Sequence, residues 1–263
     1  MRSRGVVAGL ALLLMACVLL VPQALPGAPK VPLKVLRVGA DPDFRPITFA
    51  DKSGKLIGYD VDFATELASR LGIPLDYQGV AWDGIIPALT GGKIDSITDM
   101  VITDKRKEVV AFSQPYMEQT ITTVVRADKP GFNPGRNDLA ALKVGVQVNT
   151  SAAGALEKIP GVKPTTYNTV ADEFNDLVLG RIDVVAMESL GAGYTTKELY
   201  KGKLRVTGQK LTDEPALIGA AFRKEDTALV DAANEVIRAM IKDGALERIN
   251  KKWFGDIKLI PSM

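Results

Sequence analysis

The chain reads as an α/β protein whose strands and helices build two lobes, and three observations carry that expectation. Apolar, β-branched runs alternate with segments of helical spacing almost throughout, which is the pattern of parallel sheets covered by helices. Two extended runs, 121–126 and 217–224, interrupt this alternation, and a fresh strand–helix series starts at Lys143. About 235 of the 263 residues remain after an N-terminal leader, with enough apolar content for one large domain or two small ones.

The elements follow in order. Residues 33–40 form the first strand-like run. Val61, Ala64, Leu67, Ala68 and Leu71 then recur at helical spacing, with Gly72 where a C-terminal cap belongs. The acidic pair in Gly58-Tyr59-Asp60-Val61-Asp62 is read as capping that helix from Val61 rather than as a metal site. Further strands are expected at 75–80, 96–102, 121–127, 143–148, 184–187 and 217–223. A helix over 169–179 would face Val170, Phe174, Leu177 and Val178 inward. Leu229, Ala233, Val236, Ile237 and Met240 mark another helix, ended by Gly244, and Leu246, Ile249 and Trp253 mark a last short one. Taking the two extended runs as hinge crossings gives a discontinuous first lobe, roughly 29–122 plus 218–263, and a second lobe of 123–217. Open α/β sheets bind ligands at the carboxyl ends of their strands, so two such lobes face each other across a cleft that can close.

Residues 1–28 read as a secretory signal: Arg2 and Arg4, an apolar run from Val6 to Val21, and a Pro- and Ala-rich exit. Cleavage is expected after Ala24 or Ala28, which places the protein in the periplasm or another extracytoplasmic space. Cys17 follows Leu14-Met15-Ala16 in the manner of a lipoprotein box. The apolar run continues past it, which favours cleavage over a lipid anchor.

Removing the leader removes the only cysteine, and the chain has no histidine. Thiol nucleophiles, histidine bases and the usual zinc sites are thereby excluded, and no cofactor or metal is expected. Without Arg2 and Arg4 the 33 basic residues fall to 31, equal to the 31 acids. A neutral chain lacking a basic run is a poor partner for nucleic acid.

The candidate site residues gather after strands. Arg106 follows Ile102-Thr103-Asp104-Lys105 at the start of a short helix; its planar fork suits a carboxylate. Phe44 and Trp82 each come just after a strand among polar neighbours, at a rim rather than in a core, where rings can stack on a ligand. Glu188 ends a strand and could hold an ammonium or serve as a helix N-terminal acid. Asp99 sits unexpectedly inside a strand and must either take backbone donors or meet a cation. Asn149, Thr150 and Ser151 open a helix and can both cap it and line an anion pocket. No catalytic group stands out, so binding is the first expectation.

Taken together, the motifs resemble the family 3 extracellular solute-binding proteins, the amino-acid receptors of ABC importers. The matching pieces are Asp41-x-x-Phe44-x-Pro46, the run from Gly54 to Asp62, Trp82 to Leu89, Gly92 to Asp95, Ile102 to Arg106, Phe112-Ser-x-Pro-Tyr116, Gly180 to Asp183 and Lys252 to Gly255. The resemblance implies a type II periplasmic-binding fold: two α/β lobes, two hinge strands, and the ligand in the interlobe cleft. It also implies a monomer working with an ABC permease. Arg106 would then take the ligand α-carboxylate with help from Thr150, Phe44 and Trp82 would flank the side chain, and Glu188 would stand where an aspartate usually takes the α-ammonium. Asp41, Asp99, Val101, Asn149 and Ser151 complete the expected contacts. Departures from the pattern are Asp99 for a small residue, Val101 for a Ser or Thr, Ile47 for an aromatic, Asn149 for a glycine and Glu188 for the shorter aspartate. They point to a cationic or zwitterionic amine that keeps a carboxylate. Two alternatives are an enzyme resembling cyclohexadienyl dehydratases, with Glu188 or Asp99 as its acid, and a sensory receptor of the same fold. The dehydratase branch carries its acid about where Gly191 lies here, which argues against it.

Overall fold

The computed structural model describes residues 31–261. The expected leader, with Cys17, lies outside these residues.

Strands β1 (Leu36–Ala40), β2 (Asp43–Phe44), β3 (Thr48–Ala50) and β4 (Leu56–Ile57) lead to helix α1 (Tyr59–Leu71) and strand β5 (Leu75–Gly79). A single 3₁₀ turn at Trp82–Gly84 runs into α2 (Ile85–Thr90), followed by β6 (Ile97–Val101), α3 (Asp104–Lys107), β7 (Ala111–Phe112) and β8 (Met117–Gln119). The middle of the chain holds β9 (Ile121–Arg126), β10 (Val144–Gln147), α4 (Ser151–Leu156), β11 (Thr165–Tyr167), α5 (Val170–Val178), β12 (Val184–Glu188), α6 (Ser189–Tyr194) and β13 (Leu204–Lys210). Strand β14 (Ala216–Phe222) and helices α7 (Thr227–Lys242) and α8 (Ala245–Phe254) close it.

Two lobes result. In the first, β1 runs parallel to β5 and bridges through Val38 and Ser96 to the strand that becomes β6. Strand β14 lies antiparallel to β6 and pairs with β7 and β8 along its other edge. The second lobe is a five-stranded sheet in the order β11-β10-β12-β9-β13. Apolar clusters cover both faces of each sheet. Phe63, Leu67, Val236 and Ile237 back the first sheet on one side, and Ile85, Leu89 and Met100 on the other. Val144, Leu156 and Val184 form one core of the second sheet, and Phe174, Leu177 and Val185 the other. Burial on both faces is why the central strands read as nearly continuous apolar runs.

The chain changes sheet after Gln119 and returns between Lys210 and Ala216. The runs expected to be hinge crossings are β9 and most of β14, and each pairs within a single sheet. The passages themselves are Thr120 and residues 211–215, so both changes of sheet fall slightly before the expected lobe limits.

One local expectation is corrected. Helix α1 starts at Tyr59, and its N-cap is Gly58, with no side-chain cap. A Cβ at Gly58 would lie 2.1 Å from the Ile47 carbonyl oxygen, and φ there is 144°, so only glycine fits. The acidic pair is used elsewhere. Asp60 is fully buried and accepts from Tyr77 Oη and Thr98 Oγ1, both at 2.6 Å. Asp62 accepts from Trp253 Nε1 and Lys252 Nζ, also at 2.6 Å, which ties α8 to α1.

Candidate functional site

The carboxyl end of β6 delivers three residues to the cleft. The strand's alternation turns Asp99 and Val101 to the same side, and the chain then breaks into α3. Thr103 caps that short helix by accepting from the Arg106 amide at 3.2 Å. This sets the Arg106 side chain back under the strand end, where it is 7% exposed. Its Nη1 donates to the Val101 carbonyl and its Nη2 to the Asn149 carbonyl, each at 2.8 Å. One guanidinium thus bonds to the main chains of both lobes. It also lies over the Trp82 ring, 5.5 Å from its centroid. A guanidinium has five N–H donors, so three are left for a ligand. Burial disfavours its charge, while Glu188 and Asp99 nearby favour it.

The second lobe contributes the ends of β10 and β12 and the start of α4. Asn149 has φ 60°, a left-handed conformation that asparagine adopts more readily than most residues. That turn aims its carbonyl at Arg106, while its side chain is exposed. Thr150 caps α4, accepting from the Ala153 amide at 3.1 Å and donating to the Gln147 carbonyl at 2.8 Å. Ser151 donates its hydroxyl to Glu188 Oε1 in a short hydrogen bond, and Glu188 is buried.

These residues enclose a narrow pocket between the lobes, with about 370 Å³ of non-atom space that includes open solvent at its mouth. Of the expected contacts, Asp41, Phe44, Trp82, Asp99, Val101, Arg106, Thr150, Ser151 and Glu188 line it. Asn149 does not line it and takes part only through its carbonyl. Gln119 and Gln147, which sequence reasoning passed over, complete the wall. Gln147 Nε2 donates to Asp41 Oδ2 at 2.8 Å, a second bond between the lobes. Gln119 Oε1 accepts from the Leu190 amide at 3.3 Å beside the Thr120 passage. Gln147 could have been found, because it ends a parallel strand, where open sheets hold ligands.

A smaller pocket, with about 230 Å³ of non-atom space that includes open solvent, adjoins the first among first-lobe residues. The two share Asp41, Phe44, Trp82 and Asp99, and the inner one adds Ala40, Ile47, Thr48 and Ile97. Phe44 packs against the cores of both lobes. It can do so because residue 191 is glycine: a Cβ there would sit 2.8 Å from Phe44 Cε2.

Three carboxyl groups line this pocket beside one guanidinium, and the surroundings of the three differ. Glu188 has the Ser151 hydroxyl. Asp41 accepts from Gln147 and from the Asp43 amide at 3.0 Å; burial raises its pKa, and these two bonds oppose the rise. Asp99 has no hydrogen-bond donor among the described residues. Burial, then the charges of Asp60 and Glu188, push its pKa well above the usual carboxylate range, with only Arg106 opposing. The indole Nε1 of Trp82 is also buried without a partner. Among the described residues no cluster of three or more His, Cys, Asp or Glu is placed to hold a metal ion. No described helix is long and apolar enough to cross a membrane.

Residues 36–256 match the model of the bacterial extracellular solute-binding proteins, family 3. The L-cystine-binding protein TcyJ of Escherichia coli (strain K12) is 34% identical over 222 residues, covering 84% of this chain and 82% of that protein. An L-arginine-binding protein of Pseudomonas aeruginosa is 32% identical over 230 residues, covering 84% and 88%. Among solved structures, the ancestral amino acid-binding protein AncCDT-1, described as a precursor of cyclohexadienyl dehydratase, superposes with a TM-score of 0.77 at 36% identity, covering 84% of this chain and 96% of that one. A two-lobed α/β fold, a pocket between the lobes and a family match across nearly all the described residues agree: the chain belongs to the family 3 bacterial extracellular solute-binding proteins.

Proposed function

We propose that the protein is an extracytoplasmic receptor that closes on a small amino acid bearing positive charge and, as a monomer, presents it to the permease of an ABC importer. The observation that carries this reading is Arg106, hydrogen-bonded to both lobes with three donors left over, among three carboxylates and two aromatic rings. The ligand carboxylate meets those donors, a charge-assisted contact strengthened by burial. Its α-ammonium meets Glu188, oriented by Ser151, and Phe44 and Trp82 cover the side chain. Opening at Thr120 and residues 211–215 admits the ligand, and closure restores the Asp41–Gln147 bond across the cleft.

The relatives named for cystine and arginine support an amino-acid ligand, and the departures within the site refine it. Val101 brings no hydroxyl to the carboxylate, whereas Asp99 adds an acid, which shifts preference toward cations. Curated relatives named as binding proteins favour a receptor over an enzyme. The test is a thermal-shift screen against amino acids, amines, betaines and small carboxylates, since a ligand that binds only the folded state raises its stability with concentration. Amino acids with a positive charge should give the largest shifts. Glutamate binding more tightly than every cationic ligand would overturn the charge assignment, and silence across all classes would overturn the receptor.

A further inference from the structure

Resting on the closure reading, we infer that Tyr194 and Phe49 form a latch between the lobes outside the ligand pocket. It sets the affinity for every ligand by a common factor and leaves the choice among ligands to the cleft. Tyr194 ends α6, which packs on β9, β12 and β13 of the second sheet, and Phe49 lies in β3 of the first lobe. Their ring centroids are 6.4 Å apart with the planes tilted by 36°, within the range where aromatic pairs attract. Neither ring lines either pocket.

The first lobe holds its half of the latch ready. The Arg45 guanidinium covers the Phe49 ring at 4.2 Å from its centroid, and Trp253 meets it edge-on at 6.1 Å and 89°. Trp253 is itself fixed by its Nε1 bond to Asp62. Phe49 is 7% exposed, so it forms a fixed seat for the tyrosine. The other half sits on a helix fastened at its start. The Ser189 amide donates to the Thr120 carbonyl at 2.8 Å, and the Thr120 amide donates to Ser189 Oγ at 3.2 Å. These bonds lie at the passage between the sheets and can persist as the chain turns there. Tyr194 comes about 7.5 Å further along the helix and meets the first lobe through its ring, a contact that parts when the lobes separate. Glu188 directly precedes α6, so the residue proposed for the α-ammonium and the latch move as one piece. A contact made only in the closed form favours closure whatever the ligand, because it shifts the population that binds.

The experiment is calorimetric titration of purified wild type, Tyr194→Ala and Tyr194→Phe with L-arginine, L-lysine and L-glutamine, with dissociation followed by stopped-flow fluorescence. Loss of one aromatic pair should weaken every ligand that wild type binds by the same factor, about twofold to tenfold. Dissociation should quicken, the ligand-free melting temperature should hold, and Tyr194→Phe should behave as wild type. Tyr194→Leu, which keeps apolar bulk without the ring, serves in the same way if the alanine variant does not fold. Wild-type affinity in the variant, a loss that differs from ligand to ligand, or a lower ligand-free melting temperature with unchanged dissociation would overturn the latch while the receptor stands. Failure of wild type to bind any cationic, neutral or acidic amino acid would overturn both.

Discussion

Arg106→Ala removes the one positive side chain that lines the pocket among the described residues, and its effect can be worked out before it is measured. A buried charge-assisted pair with a carboxylate is worth about 1.5–3 kcal/mol, so an amino-acid ligand should lose about tenfold to 150-fold in affinity. Two 2.8 Å bonds to the Val101 and Asn149 carbonyls disappear as well. The second of these joins the lobes, so its loss falls on the closed form. A third consequence has the opposite sign: without the guanidinium, Asp99 and Glu188 leave the pocket more negative and more welcoming to a bare cation. The assay is therefore paired calorimetry with L-lysine and with cadaverine, the same skeleton without its carboxylate. Lysine should weaken by the stated factor and cadaverine should hold or improve. Unchanged lysine affinity would remove Arg106 from the carboxylate site. An equal loss for both ligands would show that the residue acts through closure alone.

Four further outcomes are expected of the same structure. Gly191→Ala places a methyl 2.8 Å from Phe44 Cε2; overpacking of about 1–3 kcal/mol should fall on closure, weakening ligand binding about fivefold or more with little change in the unliganded melting temperature. Asp60 is raised to about 6 by burial, which outweighs the lowering effect of its bonds from Thr98 and Tyr77. The folded state therefore holds this proton more tightly than the unfolded chain, and stability should fall by about 3 kcal/mol as pH rises from about 4 to about 6, then level off; denaturation of wild type against Asp60→Asn isolates this slope, and parallel curves would contradict it. Burial would raise the Asp95 carboxyl, but hydrogen bonds from Arg37 (2.6 and 2.8 Å) and Arg223 (3.1 Å) hold it below the usual range. Asp95→Asn should cost about 3 kcal/mol of stability in urea denaturation, at the low end for a broken buried pair because Arg37 is about one-third exposed, while leaving ligand preference unaltered. Incubation with prephenate or arogenate should yield no aromatic product, and measurable turnover would revive the dehydratase alternative.

Local signals were easiest to read in the sequence. Helix α5 lies where its apolar spacing places it, with Thr169 as its cap accepting from the Asp172 amide. Gly72 ends α1 in the left-handed conformation. Strand β13 carries little signal in the sequence because it is a half-exposed edge strand, Leu204–Lys210, with no sustained apolar run. Asp60 misled for a related reason. An acid beside a helix start usually caps it, and only the tertiary contacts with Tyr77 and Thr98 reveal a buried network instead. In the site, the arginine, the two rings and the acids stand out by chemistry and by their place after strands. Gln119 and Gln147 do not, since a strand glutamine gains meaning only when the opposing lobe brings it a partner.

The order in which the two sheets are threaded also bears on how the chain folds. Strand β14 completes the first sheet by pairing Ile218 with Val101, yet the entire second sheet is synthesised between them. The first sheet stays unfinished along β6 until the last part of the chain emerges, and the long intervening segment makes that pairing a late, slow event. The second sheet, by contrast, is contiguous from β9 to β13 and can assemble on its own strands. The N-terminal third of a nascent chain thus waits for its closing strand until synthesis is nearly complete. Pairing with the late strand then locks the first lobe once the whole polypeptide is available.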